Sequence, residues 1–282
     1  SAYTLEITPS KTNGLEHTID ELSKVMEISV RDRRKFKKLL EESKSFESLP
    51  IRTRLTDTEV ARFAAQRFRF PGVEIKARLF RNYPYGELAS HVVGYIGRIN
   101  QAEKAKIEDD EDQANYRGTE YIGKLGVEQS FESQLHGTTG VERMETSAGG
   151  RAVRKLASNP STPGNKVVLS IDIKLQKLVE DMFGERRGAL VAIDPKTGEV
   201  LAFVSKPTFD SNLFVEGIDH ENWALLNESL DKPLLNRALR GTYPPGSTYK
   251  PFMALAALET GKRSATALIN GPGFFMFGGH RF

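Results

Sequence analysis

The sequence predicts an α+β fold, because helical and extended patterns occupy separate stretches of the chain. In residues 14–28 and 31–46, apolar side chains recur at helical spacing and charged residues fill the outer faces. Residues 187–205 hold two β-rich runs separated by Asp-Pro-Lys-Thr-Gly (194–198), a strong hairpin signal. Both kinds of element are therefore expected, with the hairpin in the later part of the chain.

Further elements follow from local signals in the first part. Thr56 and Asp57 are N-cap candidates, and Glu59 stands in the first turn that would follow them, so a helix is predicted to start there. Residues 73–86 look extended up to a Tyr-Pro-Tyr-Gly turn, and residues 87–99 return to a helical pattern. The first part is thus predicted to mix helices with a strand.

Two unusual stretches are interpreted as structural. The charge run Glu-Asp-Asp-Glu-Asp-Gln-Ala-Asn (108–115) is interpreted as a solvated loop rather than a cation site, because blocks of like charge stay in water. Residues 120–140 carry glycines that bracket a short helix: Gly123, Gly126, Gly137 and Gly140. They lack the strand-then-helix setting of a phosphate-binding loop, so they are interpreted as structural punctuation rather than as part of a catalytic site.

A cluster of Ser, Pro, Asn and Gly in residues 157–166 marks a domain boundary. We place this boundary near residue 160, which gives a first domain of residues 1–160 and a second of residues 161–282. Beyond the boundary, the sequence predicts a strand and then a helix that starts at Asp172.

Composition excludes several classes of protein. The 40 Lys and Arg residues nearly match 37 Asp and Glu, so no nucleic-acid partner is expected. The absence of cysteine excludes disulfides, thiolate nucleophiles and Cys-based zinc sites. No apolar stretch is long enough to span a bilayer. Five histidines are scattered without metal-ligand spacing, namely His17, His91, His136, His220 and His280. We therefore expect no metal and no cofactor.

The strongest candidate for chemistry is the pair Ser247 and Lys250, in the stretch Leu-Arg-Gly-Thr-Tyr-Pro-Pro-Gly-Ser-Thr-Tyr-Lys-Pro. Residues i and i+3 share one face of a helix, so the lysine amine could accept the serine proton if a helix begins at or just before Ser247. Two prolines and a glycine favour a start there, and serine is a preferred N-cap. Free N–H groups at a helix start also favour an oxyanion.

A lysine base must be neutral, so its surroundings matter. The apolar run Phe-Met-Ala-Leu-Ala-Ala-Leu (252–258) predicts a buried helix, and burial lowers the pKa of a lysine toward ~7–8. Pro251 is tolerable only in or next to the first turn. The pattern recurs at Ser229 and Lys232, but without the Pro-Pro-Gly lead, and that copy is predicted to be a surface turn. From the residues alone, Ser247 remains either a nucleophile or an ordinary N-cap.

The surroundings of Ser247 resemble the nucleophile region of the penicillin-binding proteins, whose motif is Ser-x-x-Lys. Other stretches resemble the class B members of that family, in particular those that act in cell elongation. These stretches are Phe70–Gly97, Tyr121–Gly140, Val167–Glu180, Gly188–Phe214 and Asn236–Pro251. The resemblance covers nearly the whole chain.

Such membership implies a fold and a reaction. It implies an amino-terminal pedestal domain, of the dimerisation type, followed by a truncated start of a β-lactamase-like transpeptidase domain. Ser247 would attack the D-Ala-D-Ala carbonyl of a peptidoglycan stem peptide, with Lys250 as general base, and an amine of a neighbouring stem would resolve the acyl-enzyme. β-Lactams would acylate the same serine. The Ser247 backbone N–H would be one donor of the oxyanion hole.

In the family, the motifs Ser-x-Asn or Ser-x-Asp and Lys-[Ser/Thr]-Gly follow the nucleophile, and none of them occurs between Ser247 and Phe282. Lys196-Thr197-Gly198 lies upstream of Ser247, within the predicted hairpin turn, and is interpreted as turn residues. We therefore expect an incomplete transpeptidase domain, whose substrate-binding residues are not identified here. We also expect a missing amino-terminal membrane anchor and first pedestal segment.

Three functions remain open. The first is a peptidoglycan D,D-transpeptidase on the periplasmic face of the bacterial inner membrane. The second is an interaction scaffold, in which residues 1–160 dock a membrane glycosyltransferase of the RodA type and elongation scaffold proteins. The third, a β-lactamase or β-lactam sensor, is disfavoured by the long pedestal.

Overall fold

The computed structural model describes residues 2–146 and 152–282. Contacts between Cα atoms divide the chain into two compact units, residues 1–238 and residues 239–282. Within the described ranges, no helix is long and apolar enough to cross a bilayer.

The elements of the first unit alternate between sheet and helix. Its strands are β1 (Ala2–Ile7), β2 (Leu49–Leu55), β3 (Val73–Arg78), β4 (Ile96–Arg98), β5 (Tyr121–Gly123), β6 (Val141–Thr146), β7 (Ala152–Asn159), β8 (Gly188–Ile193) and β9 (Val200–Lys206). Its helices are α1 (Leu15–Leu22), α2 (Val30–Glu42), α3 (Asp57–Ala64), α4 (Ser90–Val93), α5 (Gln101–Glu108), α6 (Gly126–Ser130), α7 (Glu132–Leu135), α8 (Ile173–Phe183) and α9 (His220–Asn227). The predicted α+β fold is confirmed.

A three-stranded antiparallel sheet in the order β2-β1-β3 forms the centre of the first 80 residues. Helices α1, α2 and α3 supply apolar side chains to a core that the sheet shares. The core consists of Leu5, Ile7, Ile19, Leu22, Val25, Met26, Phe36, Leu39, Leu49, Ile51, Leu55, Phe63, Phe70 and Val73. Most side chains of α2 are charged, but Phe36 and Leu39 lie three residues apart on one face of the helix. The helix therefore buries this apolar face in the core.

Helix α3 starts where the sequence predicts. The hydroxyl of Thr56 accepts a hydrogen bond from the N–H of Glu59 at 3.2 Å, and the Glu59 carboxylate accepts one from the N–H of Thr56 at 2.8 Å. This reciprocal pair is a capping box, which satisfies N–H groups that the first helical turn leaves free. Of the two candidates, Thr56 is the N-cap and Asp57 is the first helical residue.

Residues 87–99 correct one prediction. Helix α4 is only one turn long, and residues 96–98 form strand β4, which pairs antiparallel with β5. Gly94 ends the helix with a φ of +76°, a left-handed conformation that interrupts helical hydrogen bonding. The charge run after α5 is confirmed as exposed, apart from the partly buried Asn115 at its end.

The strand-then-helix setting that was not expected is present, since Gly123 ends β5 and Gly126 begins α6, but close backbone packing confirms a structural role for these glycines. A Cβ atom on Gly123 would lie 2.0 Å from the carbonyl oxygen of Glu128, and one on Gly126 would lie 2.4 Å from that of Val92. Backbone segments therefore meet at these positions with no room for a side chain.

The region after residue 160 begins without the predicted strand. Residues 167–170 pair with no strand in the described chain, and Val168 is 92% exposed, so the β-branched run has no sheet to join. Asp172 caps α8 as predicted, since its carboxylate accepts hydrogen bonds from the N–H groups of Lys174 and Leu175. The predicted hairpin is confirmed as β8 and β9. The domain boundary near residue 160 stays a prediction.

The second unit is small. It contains a 3-10 turn (Gly246–Tyr249), helix α11 (Lys250–Glu259) and a short antiparallel hairpin of β10 (Met276–Phe277) and β11 (His280–Arg281). A further helical turn, α10 (Arg237–Arg240), crosses from the first unit into the second.

Candidate active site

Ser247 lies in the first turn of a helix that starts just before it. The 3-10 turn begins at Gly246, whose φ of +54° is left-handed, and it runs directly into α11. The carbonyl of Pro245 accepts a hydrogen bond from the N–H of Thr248 at 3.3 Å. The predicted start is therefore right, but the N-cap interpretation is wrong in detail, because the turn already includes Ser247 as a helical residue.

Lys250 is one turn from Ser247. Its backbone N–H donates to the carbonyl of Ser247, an i to i+3 bond that places both residues on the same side of the helix start. Pro251 falls in the first turn of α11, where its missing N–H costs no hydrogen bond. The backbone thus brings the two predicted site residues together at the required spacing.

The expected burial of this helix is not observed. Phe252 is 66% exposed and Leu255 is 57% exposed, and the described residues from 239 to 282 include no buried side chain. The physical reason is size, since one helix and a two-residue hairpin cannot cover an apolar helix within their own unit. Lys250 is likewise exposed.

The second Ser-x-x-Lys copy has a different backbone. The N–H of Lys232 donates to the carbonyl of Ser229 at 3.1 Å, but the φ of Lys232 is +46°, which ends the turn instead of extending a helix. Asp231 forms an ion pair with Arg187 at 3.3 Å. The predicted surface turn is confirmed.

Lys196-Thr197-Gly198 occupies the exposed tip of the β8–β9 hairpin. The Asp194 carboxylate accepts from the N–H of Lys196 at 2.8 Å, and the N–H of Gly198 donates to the Asp194 carbonyl at 2.8 Å. Gly198 has a φ of +78°, as such a turn requires. The interpretation of these residues as a turn is confirmed.

A buried polar network around Tyr83 was not predicted from the sequence. The side-chain amide of Asn212 accepts from the N–H of Tyr83 at 2.9 Å and donates to its carbonyl at 2.8 Å, across 129 residues of chain. The Tyr83 hydroxyl donates to the buried carboxylate of Glu128 at 3.0 Å and accepts from the N–H of Ile96 at 2.9 Å. Burial, followed by the charge of Glu128, raises the pKa of Tyr83.

A second polar connection joins the same two parts of the chain. The buried carboxylate of Glu180 on α8 accepts from the N–H of Ala89 at 2.9 Å and from the Gln176 amide at 2.9 Å. The Ser211 hydroxyl donates to the Gly94 carbonyl at 2.8 Å. Residues 83–128 and 176–214 are therefore held together by directional bonds as well as by the stacked rings of Tyr95 and Phe214.

The histidines form no metal site. His136 stacks on Tyr116 and lies 3.0 Å from the Thr119 hydroxyl, while His91 packs edge-on against Phe209. Across residues 2–146 and 152–282, no group of three metal-ligating side chains comes together.

Two family models match the chain, and they define its class. The penicillin-binding protein dimerisation domain matches residues 1–169, and the penicillin-binding protein transpeptidase domain matches residues 188–279. The chain therefore belongs to the penicillin-binding protein family, which confirms the predicted resemblance and its order of domains.

Individual relatives narrow this class. The chain is 41% identical over 277 residues to the peptidoglycan D,D-transpeptidase MrdA of Escherichia coli (strain K12), covering 98% of this chain and 44% of the relative. The crystal structure of Pseudomonas aeruginosa PBP2 in complex with WCK 5153 is 42% identical, with a TM-score of 0.59 over 73% of this chain and 41% of that one. PBP2 of Helicobacter pylori, in its complex with MreC, is 26% identical, with a TM-score of 0.75 over 100% of this chain and 52% of that one. The chain thus spans about half the length, or less, of these relatives.

Proposed function

We propose that the intact protein is a peptidoglycan D,D-transpeptidase of class B that acts in cell elongation. The observation that carries the proposal is the helical turn that joins Ser247 to Lys250 inside the segment matched by the transpeptidase model. The curated relatives named peptidoglycan D,D-transpeptidase support the substrate class. By the same resemblance, the enzyme works at the periplasmic face of the inner membrane, held by an amino-terminal anchor.

The reaction divides into acylation and transfer. In acylation, the Ser247 hydroxyl oxygen bonds to the carbonyl carbon of the penultimate D-Ala while its proton passes to the Lys250 amine, the general base. The peptide C–N bond then breaks, the departing D-Ala nitrogen takes up a proton, and an ester remains on Ser247. In transfer, an amine of a neighbouring stem peptide attacks the ester, forms the cross-link and releases the serine.

The start of the helix contributes electrostatic stabilisation. Backbone N–H groups in the first turn have no helical partner, and they favour negative charge developing on the substrate carbonyl oxygen. The Ser247 N–H is the donor that we assign to this oxyanion. β-Lactams acylate the same serine, in place of the stem peptide.

Labelling by fluorescent penicillin tests this proposal in the intact protein. We expect wild-type protein to be labelled, Ser247→Ala to lose the label, and Ser229→Ala to keep it as the matched control. Lys250→Arg should slow acylation by ~100-fold or more, because a guanidinium stays protonated and cannot accept the serine proton. A label that survives Ser247→Ala would overturn the proposal. Rapid loss of the label by hydrolysis would favour a β-lactamase.

A second function is favoured by the solved complex of Helicobacter pylori PBP2 with MreC, to which the whole chain is similar. We propose that residues 1–160 also dock elongation partners: a scaffold protein of the MreC kind and a membrane glycosyltransferase of the RodA type. Capture of each partner by the intact protein, with and without Ser247→Ala, tests this role apart from catalysis. Loss of all capture in a folded protein would contradict it.

A further inference from the structure

Strand β3 forms an open edge of the three-stranded β2-β1-β3 sheet, which we call the pedestal sheet. It pairs with β1 along its whole length, and in the described part of the chain no strand pairs with its other side. The hydrogen bond from the N–H of Thr8 to the carbonyl of Gly72, at 2.8 Å, fixes the pattern of the ladder. Because bonded and non-bonded pairs alternate in an antiparallel ladder, Val73, Ile75 and Ala77 direct their N–H and C=O groups away from β1.

Two of the three outward N–H groups are unpaired among the described residues. The N–H of Val73 donates a hydrogen bond to the Phe70 carbonyl at 3.2 Å. The N–H groups of Ile75 and Ala77 have no hydrogen-bond partner among residues 2–146 and 152–282. A run of unpaired donors and acceptors on a sheet edge is a template for another strand. The chemistry of this edge therefore selects a polypeptide in extended conformation.

A groove runs beside the same edge. One cavity of about 260 Å³ lies between α3 and β3, with Val60, Phe63 and Ala64 on the helix and Ile75 on the strand. A second cavity of about 460 Å³ lies at the start of β3, lined by rings that include Phe68 and Phe70. The two cavities share Arg67 and Glu74 as lining residues, so they adjoin at these two side chains. A strand added to β3 would find an apolar recess on the helix side.

The charge of the groove selects the kind of peptide. Lys11 and Arg67 line it, and neither forms an ion pair with a described residue. Arg69, in contrast, is paired with Glu21 at 3.1 Å. Glu74 is the lone carboxylate of the lining, so cations outnumber anions. Phe68 is 86% exposed beside these cations.

We propose that the outer edge of β3 and its groove bind an extended, acidic segment of another protein, which adds to the sheet as a fourth strand. Its backbone bonds to the N–H and C=O groups of Ile75 and Ala77. An apolar side chain enters the recess against α3, and carboxylates lie near Lys11 and Arg67. This inference rests on the docking function proposed above and is independent of Ser247.

The substitution Ala77→Pro tests the backbone hydrogen bonds between β3 and the added strand. Ala77→Pro removes an outward N–H and leaves the bonds to β1 in place, a substitution that edge strands tolerate. Ala77→Val keeps the N–H and is the matched control. The probe is a capped seven-residue peptide of alternating valine, threonine and glutamate, measured by fluorescence anisotropy against the intact protein. We expect Ala77→Pro to weaken binding about tenfold, the value of one hydrogen bond, and Ala77→Val to change it less than about twofold.

Charge reversal at Arg67 tests whether the groove selects an acidic peptide. Arg67→Glu should weaken binding of the acidic peptide about fivefold or more, whereas Lys37→Glu, an exposed cation on α2, should leave it unchanged. The same peptide with lysine in place of glutamate should bind wild-type protein less well. Equal binding of both peptides, or no effect of Arg67→Glu, would overturn the assigned peptide chemistry.

Amide hydrogen exchange gives the direct readout. Saturating acidic peptide should slow exchange at Ile75 and Ala77 by about tenfold or more, with no such change in β2. Slow exchange of these two amides before any peptide is added would mean that another part of the protein already covers the β3 edge. Slow exchange in a dimer whose β3 strands pair would mean that a second copy of the protein occupies the edge. Either result would overturn the inference. If a scaffold protein binds wild type and Ala77→Pro equally, docking stands and the β3 site is wrong.

Discussion

The pedestal sheet and the helix that carries Ser247 differ in what covers their apolar side chains. Leu5 and Ile7 on β1 are fully buried in the core that the sheet shares with α1, α2 and α3, while Phe252 and Leu255 on α11 are more than half exposed. Both regions have clear helix or strand signals in the sequence. The difference shows that local signals determine where an element forms, whereas its burial depends on further layers of the fold.

The largest contrast is expected from removing one leucine in each region. Leu5→Ala should lower the free energy of unfolding of the 282-residue chain by ~3–5 kcal/mol, because it leaves a cavity in a closed core. Leu255→Ala, at a 57% exposed position, should change it by less than ~0.5 kcal/mol. Urea unfolding followed by circular dichroism measures both. Equal losses would mean that α11 is buried after all.

The buried carboxylate of Glu6 on β1 gives the β2-β1-β3 sheet a pH dependence. Burial alone would raise the pKa of Glu6, but hydrogen bonds from Arg78 and Ser48, with the charges of Arg78 and Lys76, outweigh it and hold that pKa below its usual range. A group with a lowered folded-state pKa stabilises the fold above its unfolded pKa of ~4.3 and loses that contribution as pH falls through the folded value.

Glu6→Gln should therefore remove part of this acid sensitivity. We expect Glu6→Gln to lower the free energy of unfolding by ~1–3 kcal/mol at pH 7, because it removes the charged partner of Arg78 and Lys76. Below pH ~4, the stability of the variant should fall less steeply than that of the wild type. Unfolding curves measured from pH 3 to 7 provide the comparison, with Glu47→Gln on the exposed surface as control. An unchanged pH profile in Glu6→Gln would contradict the role of this carboxylate.

The network around Tyr83 should give a smaller effect. Tyr83→Phe removes the hydroxyl that joins Ile96 to Glu128 and should cost ~1–2 kcal/mol. Asn212→Ala, which leaves the N–H and C=O of Tyr83 unpaired, should cost about the same. Tyr85→Phe, at a 61% exposed ring, is the control and should cost little. Thermal unfolding ranks the three variants, and a Tyr85→Phe loss as large as that of Tyr83→Phe would contradict the network.

The smallest difference concerns two helix starts. Thr56→Ala removes a side-chain cap and should destabilise the chain by ~1 kcal/mol. Ser247→Ala should cost less than ~0.5 kcal/mol, because its hydroxyl caps no N–H group. Thermal unfolding of both variants checks this, and a large loss in Ser247→Ala would mean that the serine is mainly structural.

What the sequence predicts well depends on neighbours along the chain. Thr56 with Glu59, Asp172 with its first helical turn, and the turn at residues 194–198 are each complete within a few residues. The start of the helix near Ser247 is of the same kind, since the prolines and Gly246 precede it directly. Such signals need no knowledge of the tertiary fold.

The features that the sequence does not predict depend on residues that are distant along the chain. No pattern in the sequence indicates that Asn212 clamps the backbone of Tyr83, because the two lie 129 residues apart. The run at residues 167–170 has the composition of a strand, but no strand among residues 2–146 and 152–282 pairs with it. The burial predicted for α11 fails for a similar reason, because it requires apolar surfaces that residues 239–282 do not supply among themselves.

We propose that Ser247, activated by Lys250, is the residue that is acylated in the intact protein. Penicillin treatment followed by proteolysis and mass spectrometry identifies the modified side chain directly. We expect a single penicilloyl adduct on the peptide that contains Ser247, and no adduct in Ser247→Ala. An adduct on Ser229, or none on wild-type protein that is folded, would contradict it.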